Sequence, residues 1–247
     1  MALKFHHYED LPLANPPLRE VICQVNFAPL LEIVRNLPTD FQSKIRNRFP
    51  KFAVRQTVGL DASQPLPSEY EFKSASDQSS ASLAINFVAL AAREYSHWGA
   101  FQDEMQGVLQ AFTDVYGDIL TTRIGLRFIN ELSASNLEVK DSEELLGVLN
   151  DDLTCLIVNA AWTTPKSAFH QLLLEDGDDE LTIRVNFDRK SEPKIILDFD
   201  FFTTLNTPIA TAVPDIIRTL QEFHINCYDV FRWSIKEDKI HLLKPAG

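Results

Sequence analysis

The chain has 247 residues, with 35 Asp and Glu against 23 Lys and Arg, a formal charge of -12, and 45% hydrophobic and 23% charged residues, the composition of a folded globular chain rather than a disordered one. Its length suits one large domain or two small ones and is enough to bury a core without covalent staples. The acidic balance argues against broad binding to nucleic acid or to an anionic membrane, because phosphate rewards dense Lys and Arg; it is compatible with a protein partner that presents a basic surface.

Three cysteines, Cys23, Cys155 and Cys227, are odd in number and widely spaced, which fits free buried thiols in a reducing compartment better than a disulfide framework. The first residues contain no long apolar stretch of the secretory kind, and no apolar run approaches the ~20 residues that span a bilayer, so the expected location is cytoplasmic. The charge is uneven: residues 1–100 hold ten acidic and ten basic side chains, and residues 101–247 hold 25 and 13. The neutral part contains a local basic cluster of Arg35, Lys44, Arg46, Arg48, Lys51 and Arg55.

In chain order, Asn15-Pro16-Pro17 closes an extended N-terminal arm, and Leu18–Phe27 alternates as a strand. Thr39, with Gln42 three residues on, has capping-box spacing for a helix that puts Phe41, Ile45 and Phe49 on one face and ends at Pro50. Residues 54–77 read as short strands and loops. Tyr70–Lys73 and Ala81–Ala89 read as two antiparallel strands about a polar turn. From His97 to Leu120 the apolar positions Trp98, Phe101, Met105, Val108, Phe112, Val115, Tyr116 and Ile119 predict a long amphipathic helix. Thr122–Leu132 follows as a strand with Ile124, Leu126 and Phe128 on one face and Arg123, Gly125, Arg127 and Ile129 on the other.

The later residues repeat this order. Asp141 and Glu144 cap a helix to Leu149. Ala168–Leu174 and Leu181–Phe187 are strands around the acidic turn Glu175–Asp179, and Lys194–Thr203 is a third. A helix from Val213 to Phe231 carries Ile216, Ile217, Leu220, Phe223, Cys227 and Phe231 on its apolar face, and Asp238–Leu243 reads as an end strand. The expected fold is α+β: antiparallel sheets covered by long amphipathic helices, with a helix–strands–helix–strand unit that reads as duplicated. The halves are 1–135 and 136–247, packed as one compact unit.

The familiar catalytic signatures are missing. There is no Walker, dinucleotide-binding, H-E-x-x-H, C-x-x-C or G-x-S-x-G motif, and eight glycines leave little for a phosphate loop. Neither a cofactor nor a metal site is expected. His6-His7 reads as part of a polar arm, and His224 with Cys227 as a core histidine beside a small hydrophobe. The acidic turn lacks the glycine and the distal glutamate of an EF-hand loop.

Two constellations carry chemistry. Arg123 and Arg127, with Asn130 nearby, lie ~13 Å apart along one strand and would clamp anionic groups. Asp198 and Asp200, two apart on a strand, have the spacing of carboxylates that hold a metal with a phosphate substrate. The structural alternative joins them, arginine to aspartate across a partly buried seam.

Four segments together are moderately specific. They are Pro16, Pro17, Leu18, Glu20, Val21 and Phe27; then Tyr95, Trp98 and Phe101; then Arg123, Gly125, Leu126, Arg127, Phe128 and Asn130; and finally Leu197, Asp198, Asp200, His224 and Phe231. In order and spacing, over nearly the whole chain, they resemble a sporadically distributed bacterial and archaeal family of uncharacterised proteins. Phe128 stands where that family often has tyrosine. The resemblance implies no activity; its patchy distribution implies mobile genes, often near defence or toxin–antitoxin loci.

The leading expectation is therefore a non-enzymatic binding protein, an adaptor, inhibitor or antitoxin-like component whose acidic C-terminal half engages a basic surface. The alternative is a small-ligand or phosphate sensor, or an enzyme, using the Arg123/Arg127 face. A third is a nucleic-acid module built on Arg35, Lys44, Arg46, Arg48 and Lys51.

Overall fold

A computed structural model describes residues 3, 5–14, 16–55 and 69–245. In chain order the elements are β1 (Leu18–Phe27), α1 (Leu31–Arg35), α2 (Thr39–Ile45), β2 (Lys51–Arg55), β3 (Glu69–Lys73), β4 (Ser79–Ala84), β5 (Phe87–Ala92), α3 (Trp98–Tyr116) and β6 (Ile119–Ser133). They continue with α4 (Ala134–Leu137), α5 (Ser142–Leu146), α6 (Asp151–Thr154), β7 (Ser167–Asp176), β8 (Asp179–Asp188), β9 (Lys194–Thr211), α7 (Val213–Ser234) and a 3-10 helix at Glu237–Leu243. Among the described residues the fold is mixed helix and strand with a large antiparallel sheet of nine strands, in the order β2-β3-β4-β5-β1-β6-β9-β8-β7. No helix among the described residues is long and apolar enough to cross a membrane.

The chain divides into two compact units, one of Met1–Arg19, Arg127–Phe201 and Phe223–Gly247, the other of Glu20–Leu126 and Phe202–Glu222. In the second, β1 buries Val21, Cys23, Val25 and Phe27, and Phe27 meets Phe112 of α3 with ring centroids 4.8 Å apart. The opposite face is mostly polar or small, with Glu20, Gln24, Glu71, Ser80, Ser82, Ala89 and Ala91, and includes Ile22 and Phe87. In the first unit, β8 buries Leu181, Ile183, Val185 and Phe187, and β9 buries Ile195, Leu197, Phe199 and Phe201. Here Phe223 of α7 stacks on Phe201 at 5.9 Å. Period-two burial of large side chains against one helix is the reason these strands sit as they do.

Several boundaries differ from the sequence expectations. The run from Ala81 to Ala89 is two strands, not one: Ile85 and Asn86 form a turn, and the buried phase switches from Ala81 and Leu83 to Val88, Leu90 and Ala92. The long helix stops at Tyr116, because Gly117 takes φ +80°, and Ile119 begins β6 instead of ending the helix. His97 caps that helix, its ring accepting the Ala100 N–H at 3.2 Å. Thr39 is the first helical residue rather than the cap, and Pro38 stands at the cap position. Asp141 does cap α5, accepting from the N–H groups of Glu143 and Glu144. Residues Glu237–Leu243 form a 3-10 helix and not a strand. Residues 56–68, within the segment expected to mix strands and loops, lie outside the described residues. Cys23 and Cys227 are buried free thiols, whereas Cys155 is exposed.

Candidate functional site

In the first unit a polar row crosses four neighbouring strands. Asp198, at a position of β9 facing away from Leu197 and Phe199, is only 6% exposed. Arg127 of β6 grips it in a two-pronged ion pair, Nε to Oδ1 at 2.7 Å and Nη2 to Oδ2 at 2.6 Å. Arg184 of β8 donates to the same carboxylate from Nη1 at 3.2 Å and from Nε to the Gln171 side chain of β7 at 2.9 Å. The row therefore runs Arg127–Asp198–Arg184–Gln171. The arginine side chains are partly hydrated, 38% exposed for Arg127 and 26% for Arg184. A buried carboxylate would be costly alone, and two guanidinium groups with several hydrogen bonds compensate for its desolvation.

For Arg127 and Asp198 the geometry is thus the arginine–aspartate seam. The guanidinium edge that an anionic ligand would need is turned onto the protein's own carboxylate. Asn130 is not part of this row: it is buried on the opposite face of β6, its Nδ2 directed at the Leu197 carbonyl at 3.5 Å. Asp200 shares the Asp198 face of β9 and is partly exposed. Burial, with the negative charge of Asp200 adding to it, pushes the Cys227 thiol well above its ordinary pKa. His224, whose ring lies 5.8 Å from Phe128, is pushed down to about 4 by burial, against a small opposing pull from Asp10. It is a neutral core imidazole at pH 7. Sequence reasoning missed Arg184 and Gln171. The available signal was a cation at a strand position between Ile183 and Val185, but its partners are 14 and 13 residues away and no local pattern names them.

In the second unit, Arg123 lies with its guanidinium carbon 4.4 Å over the Phe202 ring, a cation–π contact. Its head also lies across Gly125, where an added Cβ would meet the guanidinium carbon at 2.9 Å; glycine leaves the room for it. The basic cluster is largely neutralised. Lys44 pairs with Asp114 at 2.8 Å, Arg48 with Glu104 at 2.6 Å, Lys51 with Asp77, and Arg55 with the buried Glu71, while Arg35 and Arg46 are exposed. Paired cations release fewer counterions on meeting a phosphate backbone than free ones do.

This unit also carries a polar trough of about 370 Å³. Its floor is Ser80, Ser82, Ala89 and Ala91 on two adjacent strands, and its walls include Glu71 and Lys73 on one side and Gln24 and Arg93 on the other. Short side chains between strands with long ones produce the groove. Among the described residues, no group of three or more His, Cys, Asp or Glu is placed to hold a metal ion.

The remaining feature is the edge strand β7. It pairs with β8 without a break from Ser167↔Asp188 to Asp176↔Asp179 and ends the strand order. Phe169 is 65% exposed, Leu172 47% and Leu173 58%. No protein-family model and no curated protein matches the chain.

Proposed function

We propose that the protein is a non-enzymatic protein-binding component, an adaptor, inhibitor or antitoxin-like partner acting in the cytoplasm, and that its docking element is the free edge of β7. The observation that carries this reading is an edge that is unguarded among the described residues. Natural edge strands are blunted by shortness, lysine, proline or a bulge. β7 is ten residues long, SAFHQLLLED, with no lysine or proline, and its unbroken register with β8 leaves no bulge. The edge β2, by contrast, is five residues with Lys51 and Arg55 at its ends. A strand edge with exposed apolar side chains recruits an extended segment by main-chain hydrogen bonds, with alternate side chains setting specificity.

Two further features support a binding role. The side chains best suited to catalysis, Arg127 and Asp198, hold one another. The tip beside the edge carries Glu175, Asp176, Asp178, Asp179 and Glu180, which favours a docking segment with a basic residue near its end. The proposal also takes the two runs of strands, closed by α3 and α7 in turn, as descendants of one duplicated helix–strands–helix–strand unit.

Hydrogen exchange of the outward-facing β7 amides tests the docking role. They are measured in the purified protein over a range of concentrations, and again with the product of each adjacent gene. Strand addition slows their exchange at least tenfold in one of these conditions; fast exchange in all of them sinks the proposal.

A further inference from the structure

We propose that the strand added to β7 is β7 of a second copy of this chain, antiparallel about a two-fold axis at Gln171. This rests on the reading of β7 as a docking edge.

The argument starts from the hairpin. Asp176 pairs with Asp179 across a two-residue loop, Gly177-Asp178, and Gly177 has φ +68°. Such a loop closes with the Asp176 carbonyl accepting the Asp179 N–H. Even-numbered residues of β7 therefore bond inward to β8. Ser167, Phe169, Gln171, Leu173 and Glu175 turn their N–H and C=O groups to the free edge, because bonding direction alternates along an antiparallel strand.

A second β7 must meet those groups with odd-numbered residues of its own. Centring the pair on Gln171 does so: Phe169 lies opposite Leu173, Gln171 opposite Gln171, and Ser167 opposite Glu175, each occurring twice or on the axis. The inward-bonding residues fall in step, with His170 opposite Leu172 and Lys166 opposite Asp176. All five hydrogen-bonded pairs form, giving about ten main-chain bonds.

This register is distinguished by its side chains. The exposed apolar residues Phe169, Leu172 and Leu173 meet one another or an aliphatic–imidazole contact, and the exposed Lys166 meets Asp176, one of whose oxygens already accepts the Leu3 N–H at 2.9 Å. No like charges stand opposite. Sliding by two residues in one direction sets Phe169 against Glu175, and in the other it sets Lys166 against Leu174. Sliding by one turns every side chain to the wrong face. Lys166 also supplies the basic residue that the acidic hairpin tip favours.

Sedimentation mass and single-cysteine cross-linking test this. In a Cys155→Ser background, Gln171→Cys places two thiols on the axis, with Cα atoms about 5.5 Å apart, within disulfide reach. Ser167→Cys is the register control, its two copies about 27 Å apart at ~3.4 Å per residue. The expected result is a particle of twice the 28.0 kDa chain mass that cross-links through Gln171→Cys but not through Ser167→Cys. Leu173→Lys, checked for folding by circular dichroism, is expected to be monomeric.

A wild-type monomer at the highest soluble concentration overturns self-pairing. If its β7 amides are then protected only by an adjacent gene product, the docking role stands and the partner is foreign. If they are never protected, both readings fail. A dimer that Gln171→Cys does not cross-link and Leu173→Lys does not dissociate lies elsewhere on the surface and also overturns the inference.

Discussion

Replacing Asp198 by asparagine keeps the shape of the side chain and removes the charge that two arginines share. Removing one partner of a fully buried ion pair costs about 3–5 kcal/mol, because the other charge is left uncompensated. Here the uncompensated groups are Arg127 and Arg184, 38% and 26% exposed, so water recovers part of the loss. The asparagine amide also brings a donor to a place where two guanidinium groups already donate, and one of the three present hydrogen bonds has no acceptor. A loss of about 2–3 kcal/mol follows. With an m-value of about 2.5 kcal/mol/M, the urea midpoint falls by about 1 M at unchanged slope. The coupling between Asp198→Asn and Arg127→Met, measured in a double-mutant cycle, is expected at about 1–2 kcal/mol. A change below about 0.5 kcal/mol would mean that the row is solvated and does not hold the strands, and the reasoning about Arg127 would be wrong.

Two other outcomes are expected. His224 has its folded pKa depressed to about 4 by burial, so between the unfolded value of about 6.5 and pH 4 the unfolded chain binds more protons and stability drops as pH falls. The drop is about 3 kcal/mol from pH 7 to pH 4, and His224→Gln should remove that part of the pH dependence; an unchanged pH–stability slope in the variant would place the titration elsewhere. Asp229 accepts the Tyr8 N–H at 2.9 Å and approaches His7 Nδ1 at 3.2 Å, holding the N-terminal arm against α7. Asp229→Ala should speed protease cleavage within residues 5–14 severalfold, and equal cleavage rates in both proteins would show that the arm is held by other contacts.

What the sequence made legible follows from physical range. β1 could be read because Val21, Cys23, Val25 and Phe27 alternate without a break, and α5 because Asp141 meets N–H groups two and three residues on. The hairpin within Ser79–Ala92 was hidden because Ile85-Asn86 carries neither glycine nor proline. The signals were a single turn-favouring residue, Asn86, and the change in phase between Leu83 and Val88. The end of α3 was hidden for the opposite reason: Ile119 continues the helical spacing, and only the positive φ of Gly117 ends it. The candidate site was half legible. Arg127 and Asp198 stood out as charges on strands, but their pairing joins residues 71 apart in the chain, and Asn130, a candidate beside the two arginines, has the parity of the other face.

The polar row and the docking edge are connected through one side chain. Burying Asp198 between arginines is not the most stabilising choice, since apolar residues of similar volume often do as well or better. What the row supplies is position. Gln171 is tied by Arg184 to Asp198, and Asp198 by Arg127 to β6, so a one-residue slip of β7 would carry Gln171 to the helix-covered face and break the chain of bonds. The same slip would exchange the outward and inward hydrogen-bonding residues of β7 and bring a different set of side chains to its free edge. A partner that reads that edge, whether a foreign segment or a second copy, thus depends on a register fixed three strands away.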